Sequence, residues 1–216
     1  MIHPPDLVLF DCDGVLVDSE RLTNAIIRDN LAGHGLDLRL DEVIDLFVGG
    51  TMPGVRDAAI RLGARLPNDW LDAIYAEMFA RLADEVEAVP GVEAVLDQLD
   101  AAGIPFAVGS NGPHAKMAVT LRRTGLDRRL QGRIWSREDV PRPKPAPDIY
   151  LHAAASLNVP PVRSVVVEDS ASGARAGRAA GMRVLGFTRD TEPARLAPHC
   201  DALFADMSEL PRLLGL

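Results

Sequence analysis

Leu7-Val8-Leu9-Phe10 is a continuous apolar run that stops abruptly at Asp11. A short run without polar alternation predicts a strand buried on both faces, the kind found in parallel sheets. The same grammar recurs at Phe106-Ala107-Val108-Gly109, ending at Ser110-Asn111, and at Ser164-Val165-Val166-Val167, ending at Glu168-Asp169. Val184-Leu185-Gly186-Phe187 predicts a further strand and Ala202-Leu203-Phe204 a weaker one. Between these runs apolar residues return at helical spacing, over 92–99, 113–123, 147–157 and 170–180. Pro113 at the start of the second helix, Gly125 just past its end and Gly181 after the last are ordinary boundary signals. Strands alternating with helices imply a parallel sheet covered on both faces.

One stretch breaks the alternation. From Ser19 to Ala88 the periodicity is helical throughout, with helices expected over 24–31, 41–47, 54–62 and 68–82. An insertion of roughly 70 residues is far longer than an ordinary connecting loop. The expected architecture is therefore α/β: a doubly wound parallel-sheet (Rossmann-like) core from 1–16 and 89–216, with an inserted all-helical cap domain over 17–88. Val17-Asp18-Ser19 and 87–90 are the expected hinges for opening and closing the cap.

Composition narrows the class. A hydrophobic fraction of 47% with 25% charged residues suits a globular core and excludes disorder as the main state. The net charge of −8 repels nucleic-acid backbones. No apolar run reaches membrane-spanning length, and Met1-Ile2-His3-Pro4-Pro5 lacks a charged segment followed by an apolar one, so neither a membrane nor a secretory signal is expected. Cys12 and Cys200 form neither a disulfide framework nor a zinc spacing, which suits a cytoplasmic setting. A monomer is expected. The chain has 21 arginines but only two lysines, Lys116 and Lys144. Arg122-Arg123 with Arg128-Arg129 reads as a solvated basic face.

Ligands of doubly wound sheets bind beyond the carboxyl ends of the strands. There the sequence places Asp11 and Asp13, Ser110 and Asn111, and Glu168 and Asp169; Lys144 lies in a proline-framed segment before the third of these strands. Clustered carboxylates repel unless a cation sits among them, and hard oxygen ligands with open water positions select Mg²⁺. A carboxylate at such a centre can attack phosphorus, and a second carboxyl two residues on can shuttle the proton. A hydroxyl, an ammonium and loop amides suit the phosphate oxygens.

Asp11-Cys12-Asp13-Gly14-Val15-Leu16-Val17-Asp18-Ser19 resembles the first motif of the haloacid dehalogenase-like phosphatases. Ser110-Asn111 resembles the second, Lys144 within Arg142-Pro143-Lys144-Pro145-Ala146-Pro147-Asp148 the third, and Glu168-Asp169-Ser170 the fourth. The resemblance covers essentially the whole chain, including the helical insertion. It implies Asp11 as nucleophile and Asp13 as general acid and base. It further implies Mg²⁺ held by the Asp11 carboxylate, the Asp13 carbonyl and Asp169 with Glu168 on or beside it, and Ser110, Asn111 and Lys144 on the phosphoryl group. Gly49 and Gly50 in the cap, and Lys116, are candidate substrate contacts. Cys12 is expected to pack rather than react, and His114 is a weaker candidate than Lys116.

Within the family, Ser110-Asn111-Gly112-Pro113, Lys116-Met117 and His152-Ala153-Ala154 look similar to the bacterial 6-phosphogluconate and hexose phosphate phosphatases. The expected activity is hydrolysis of a small phosphate monoester, a sugar phosphate or sugar-acid phosphate, through an aspartyl phosphate. The alternative is a β-phosphoglucomutase-like phosphosugar mutase. Against it, Val48-Gly49-Gly50-Thr51-Met52-Pro53-Gly54 lacks the arginine such mutases carry after the cap glycine, the nearest being Arg56. A dehalogenase would leave Asp13 and Asp169 without purpose, and a phosphoreceiver module would need no cap.

Overall fold

Among the described residues, six strands form one parallel sheet: β1 (Leu7–Phe10), β2 (Phe106–Ser110), β3 (Ile134–Ser136), β4 (Ser164–Glu168), β5 (Arg183–Phe187) and β6 (Ala202–Phe204). Their spatial order is β3-β2-β1-β4-β5-β6. The computed structural model describes residues 3–47 and 52–216. The insertion supplies α1 (Ser19–Gly33), α2 (Leu40–Phe47), α3 (Met52–Arg61) and α4 (Trp70–Glu85). The later helices are α5 (Val92–Ala101), α6 (His114–Thr124), α7 (Asp148–Ser156), α8 (Ala171–Ala179), α9 (Pro193–Leu196) and α10 (Leu210–Leu214).

The α/β doubly wound fold stands as expected, and strand burial explains the sequence pattern. Leu7 and Leu9 pack with Ala107, Val166 and Val184 against side chains of α7 and α8. Val8, Phe10, Phe106 and Val108, pointing the other way, are equally inaccessible. Successive side chains alternate faces, so continuous apolar runs mean both faces are covered. The chain leaves β1 towards β2 on one side, while β4 pairs on the other. That reversal opens a crevice at the carboxyl end of β1.

Three differences from the sequence pattern matter. β3 was not expected, because three residues flanked by Arg133 and Arg137 offer no apolar run long enough to register. β2 and β4 each extend one residue further than their apolar runs, since Ser110 pairs in register with Ser136 and Glu168 with Gly186. The arginine cluster is not simply a solvated face. Arg129 reaches Asp97 at 2.7 Å and Asp100 on α5, and lies over the Phe106 ring.

Contacts divide the chain into two compact units, 1–18 with 87–216, and 19–86. In the first, the outgoing and returning segments pair: the Asp18 N–H donates to the Glu87 carbonyl and the Val89 N–H to that of Leu16, both at 2.9 Å. The second is helical with its own core, in which Ile26, Leu31, Val43, Val55 and Ile74 gather around fully buried Trp70. The Trp70 indole N–H donates to Asn30 Oδ1 and Asn30 Nδ2 to Glu77 Oε2, each at 2.7 Å, so the ring's one polar atom is satisfied. Among the described residues, no helix is long and apolar enough to cross a membrane.

Candidate active site

Asp11 is the first residue beyond β1, and its N–H still bonds the Val167 carbonyl of β4 at 3.0 Å. The ladder therefore fixes the backbone from which the carboxylate projects. Lys144 Nζ lies 2.6 Å from both Asp11 Oδ1 and Glu168 Oε1, with 3% of its side chain exposed. Glu168 is completely buried. Its Oε1 also accepts the Tyr150 hydroxyl at 2.8 Å, while its Oε2 accepts the Ser170 N–H at 3.1 Å and hydroxyl at 2.9 Å. The Ser170 oxygen in turn caps α8 by accepting the Gly173 N–H at 3.0 Å. A methyl at Gly173 would land inside the Glu168 carboxyl, so that helix turn requires glycine.

Lys144 sits in an irregular segment held from β2. The Asn111 Oδ1 accepts the Lys144 N–H at 2.9 Å, and Asn111 Nδ2 donates to the Lys144 carbonyl at 3.2 Å. Both polar ends of the Asn111 side chain thus engage the lysine backbone. Beside it, Ser110 is buried and its oxygen accepts the Gly112 N–H at 2.9 Å.

Asp13, half-buried, forms an ion pair with Lys116 at 2.8 Å. Both lysines of the chain therefore meet carboxylates that follow β1. Between Asp13 and the fourth motif stands Gly14, at φ 77°, where an added methyl would collide with the Asp169 carboxylate. Gly14→Ala is accordingly expected to lower stability by about 2 kcal/mol or more, since left-handed backbone and close approach both oppose it. Urea unfolding of the variant measures this; an unchanged midpoint would contradict it.

The electrostatics follow from burial. Desolvation is the largest influence on Asp11 and raises its carboxyl to about 7; Lys144 pulls it down, while Glu168 and Asp13 push it up. For Lys144, burial alone would depress the ammonium, but Asp11 and Glu168 outweigh it and hold the pKa well above its ordinary value. Lys144 is thus charged. Oxygen atoms of Asp11, Glu168 and Asp169 lie within 4.8 Å of one another, an arrangement that could hold a metal ion. Three carboxylates against one ammonium leave an excess of negative charge that a divalent cation would neutralise. The donors are all hard oxygens, which fits Mg²⁺ better than softer metals.

The structure brings Asp11, Asp13, Asn111, Lys144 and Asp169 together in loops at the carboxyl end of the sheet, beside Ser110 and Glu168, the last residues of β2 and β4, and Lys116 in the first turn of α6. Gly49 and Gly50 lie outside the described residues. His114 turns to Asp139, with Nε2 at 2.8 Å from Oδ2, and is thereby engaged. Cys12 is buried, and desolvation drives its thiol well above the ordinary value, which suits a packing residue. Two participants were not foreseen. Tyr150 reads as one more apolar position of α7, although its hydroxyl needed a buried partner. Ser136-Arg137-Glu138-Asp139 carries a capping signature that was legible in principle.

Carboxylates and a hydroxyl at the strand ends thus meet a lysine from an irregular segment, at the crevice of a doubly wound sheet. A family model described as haloacid dehalogenase-like hydrolase matches residues 5–181, and the chain belongs to that family, as an enzyme of its phosphoric monoester hydrolase class. Over 210 residues it is 32% identical to the 6-phosphogluconate phosphatase of Escherichia coli (strain K12), covering 96% of this chain and 94% of that one. It is 29% identical over 214 residues to the phosphoglycolate phosphatase of Rhodobacter capsulatus, covering 96% and 95%. A crystal structure of a HAD family hydrolase from Deinococcus radiodurans R1, with bound phosphate and sodium, matches with a TM-score of 0.88 and 35% identity over 98% and 96% of the two chains.

Proposed function

We propose that this chain is a Mg²⁺-dependent phosphatase that hydrolyses a small sugar phosphate or sugar-acid phosphate in two steps. The observation that carries the reading is the buried Lys144 ammonium, 2.6 Å from the Asp11 carboxylate, in a cluster suited to a divalent ion. Asp11 attacks phosphorus, the ester P–O bond breaks, and the phosphoryl group passes to Asp11 as an aspartyl phosphate. Asp13 protonates the departing oxygen. It then takes a proton from the water that attacks the aspartyl phosphate, releasing orthophosphate and restoring Asp11.

Lys144 and the Ser110 hydroxyl stabilise the negative phosphoryl oxygens, with the backbone amides after Ser110 as further donors. Asn111 serves chiefly by fixing the Lys144 segment. Glu168 holds the lysine and would stand beside a bound metal rather than ligate it, because its oxygens already receive four hydrogen bonds from the protein. Asp11, Asp169 and the Asp13 carbonyl would hold Mg²⁺. When bound, it supplies charge neutralisation that lets two anions, carboxylate and phosphate, approach. The helical unit is the proposed cap, which selects the substrate. Similarity to a 6-phosphogluconate phosphatase over nearly the whole of both chains supports a sugar-acid phosphate.

A panel of phosphate monoesters scored by kcat/KM, with orthophosphate measured directly, tests the reading. Sugar phosphates should exceed nucleotides and phosphoglycolate; equal rates on all three would discard the substrate class. With β-glucose 1-phosphate, formation of glucose 6-phosphate without orthophosphate would indicate a mutase instead. Removal of divalent ions by a chelator should stop hydrolysis, and added Mg²⁺ should restore it. Ca²⁺ should substitute poorly because it favours looser, higher coordination.

A further inference from the structure

We infer that Ser136 is a positioning residue for this reaction: through the backbone of Gly112, its hydroxyl sets where the Ser110 hydroxyl proton points. The inference rests on the phosphatase reading above and concerns a residue outside the four motifs.

A serine hydroxyl has one proton and accepts through its lone pairs. Ser136 accepts the Glu138 N–H at 3.1 Å and donates its single proton to the Gly112 carbonyl at 2.8 Å. The Gly112 N–H donates at 2.9 Å to the Ser110 oxygen. With that lone pair occupied, the Ser110 proton is directed away from Gly112 and left for an acceptor. A methyl built on Gly112 would lie 3.2 Å from Ser110 Oγ and 3.5 Å from Asp13 Oδ2, so all three border one small space. Ser136 and Ser110 are register partners in the sheet, and Ser136 is fully buried.

The same turn grips the loop twice more. The His114 N–H donates to Glu138 Oε2 at 3.0 Å, and the His114 ring meets Asp139, whose Oδ2 also accepts the Ser136 N–H at 2.7 Å. A loop between β2 and α6 is thus held at three points by the end of β3. Such holding matters because a displacement of about 1 Å at a reacting group can cost roughly a hundredfold in rate.

A double-mutant cycle tests the link, using Ser136→Ala, Ser110→Ala and the pair, each assayed for kcat and KM and for inorganic phosphate binding by calorimetry. Ser136→Ala should lower kcat/KM roughly tenfold, the scale of one lost buried hydrogen bond. In the Ser110→Ala background it should lower it no further, and phosphate affinity should follow the same pattern. Ser136→Thr, which keeps the hydroxyl, should recover most of the loss. Should Ser136→Ala not fold, Ser136→Cys keeps the shape with a weaker donor and enters the same cycle. Equal losses in both backgrounds, or wild-type kinetics and phosphate affinity in Ser136→Ala, would overturn the inference. A wild-type protein that releases no orthophosphate from any monoester defeats the functional reading instead, and the phosphate-binding cycle still decides the role of Ser136.

Discussion

Asp11→Asn should lower kcat by at least about a thousandfold while preserving the fold, because the amide has no anionic oxygen with which to form the acyl phosphate. The same variant has a second signature. The Asp11 carboxyl, ordinarily at 3.8, is raised to about 7 in the folded chain, first by burial. Below pH 3.8 it is protonated in both folded and unfolded chains, and its folded-state contribution is fully present. As pH rises towards 7 the unfolded chain ionises first, so stability is lost, and the loss is complete above 7. Asparagine carries no such penalty. In a chelator, Asp11→Asn should therefore be more stable than wild type at pH 8, by an amount on the order of a few kcal/mol, and about equal near pH 4. Unfolding across that range measures the difference, and a gap that does not change with pH would refute this electrostatic account. Mg²⁺ should narrow the gap by stabilising the wild type.

Lys144→Met is expected to weaken both the fold and the chemistry of the centre. It removes the ammonium between Asp11 and Glu168 and leaves two buried carboxylates facing each other. Breaking a buried pair by deleting one partner costs roughly 3–5 kcal/mol, and losing a donor to the transferring group costs about 10²–10³ in kcat. Both effects should appear together, in a thermal melt and in steady-state kinetics. Lys144→Arg should rescue neither, since a guanidinium has no room where 3% of the side chain is exposed. Native stability and turnover in Lys144→Met would remove Lys144 from the mechanism, whereas the same result in Lys144→Arg would show that the pocket admits a guanidinium.

The central strands were readable because their residues are apolar on both faces and stop at charged ones. Asp11 and Glu168 stood out as the polar residues ending those runs. β3 escaped because it has only three residues, and Trp135 and Ser136 look like loop between Arg133 and Arg137. Partnerships were less legible than positions. Glu168 was visible as an acidic strand end, but its fourfold hydrogen bonding depends on Tyr150, Ser170 and Lys144 meeting in space. Asn111 suggested a phosphate donor, yet its carboxamide ties down the segment of Lys144, 33 positions away in sequence. Lys116 is a candidate in the sequence because it follows Ser110-Asn111 closely, near the active end of the sheet; its pairing with Asp13 depends on how α6 begins after Gly112 and Pro113. Periodicity locates a side chain along an element, whereas the loops set which distant group it meets.

Both lysines lie against this centre, one paired with Asp13 and the other with Asp11 and Glu168. Apart from the amino terminus, the molecule therefore offers reductive methylation only two primary amines, each beside a carboxylate that follows β1. Isotopically labelled dimethyl groups placed there would act as spectroscopic reporters with no background from other side chains. Graded reactivity, with the partly exposed Lys116 amine modified before the enclosed Lys144 one, would let each be followed separately as ions or esters arrive.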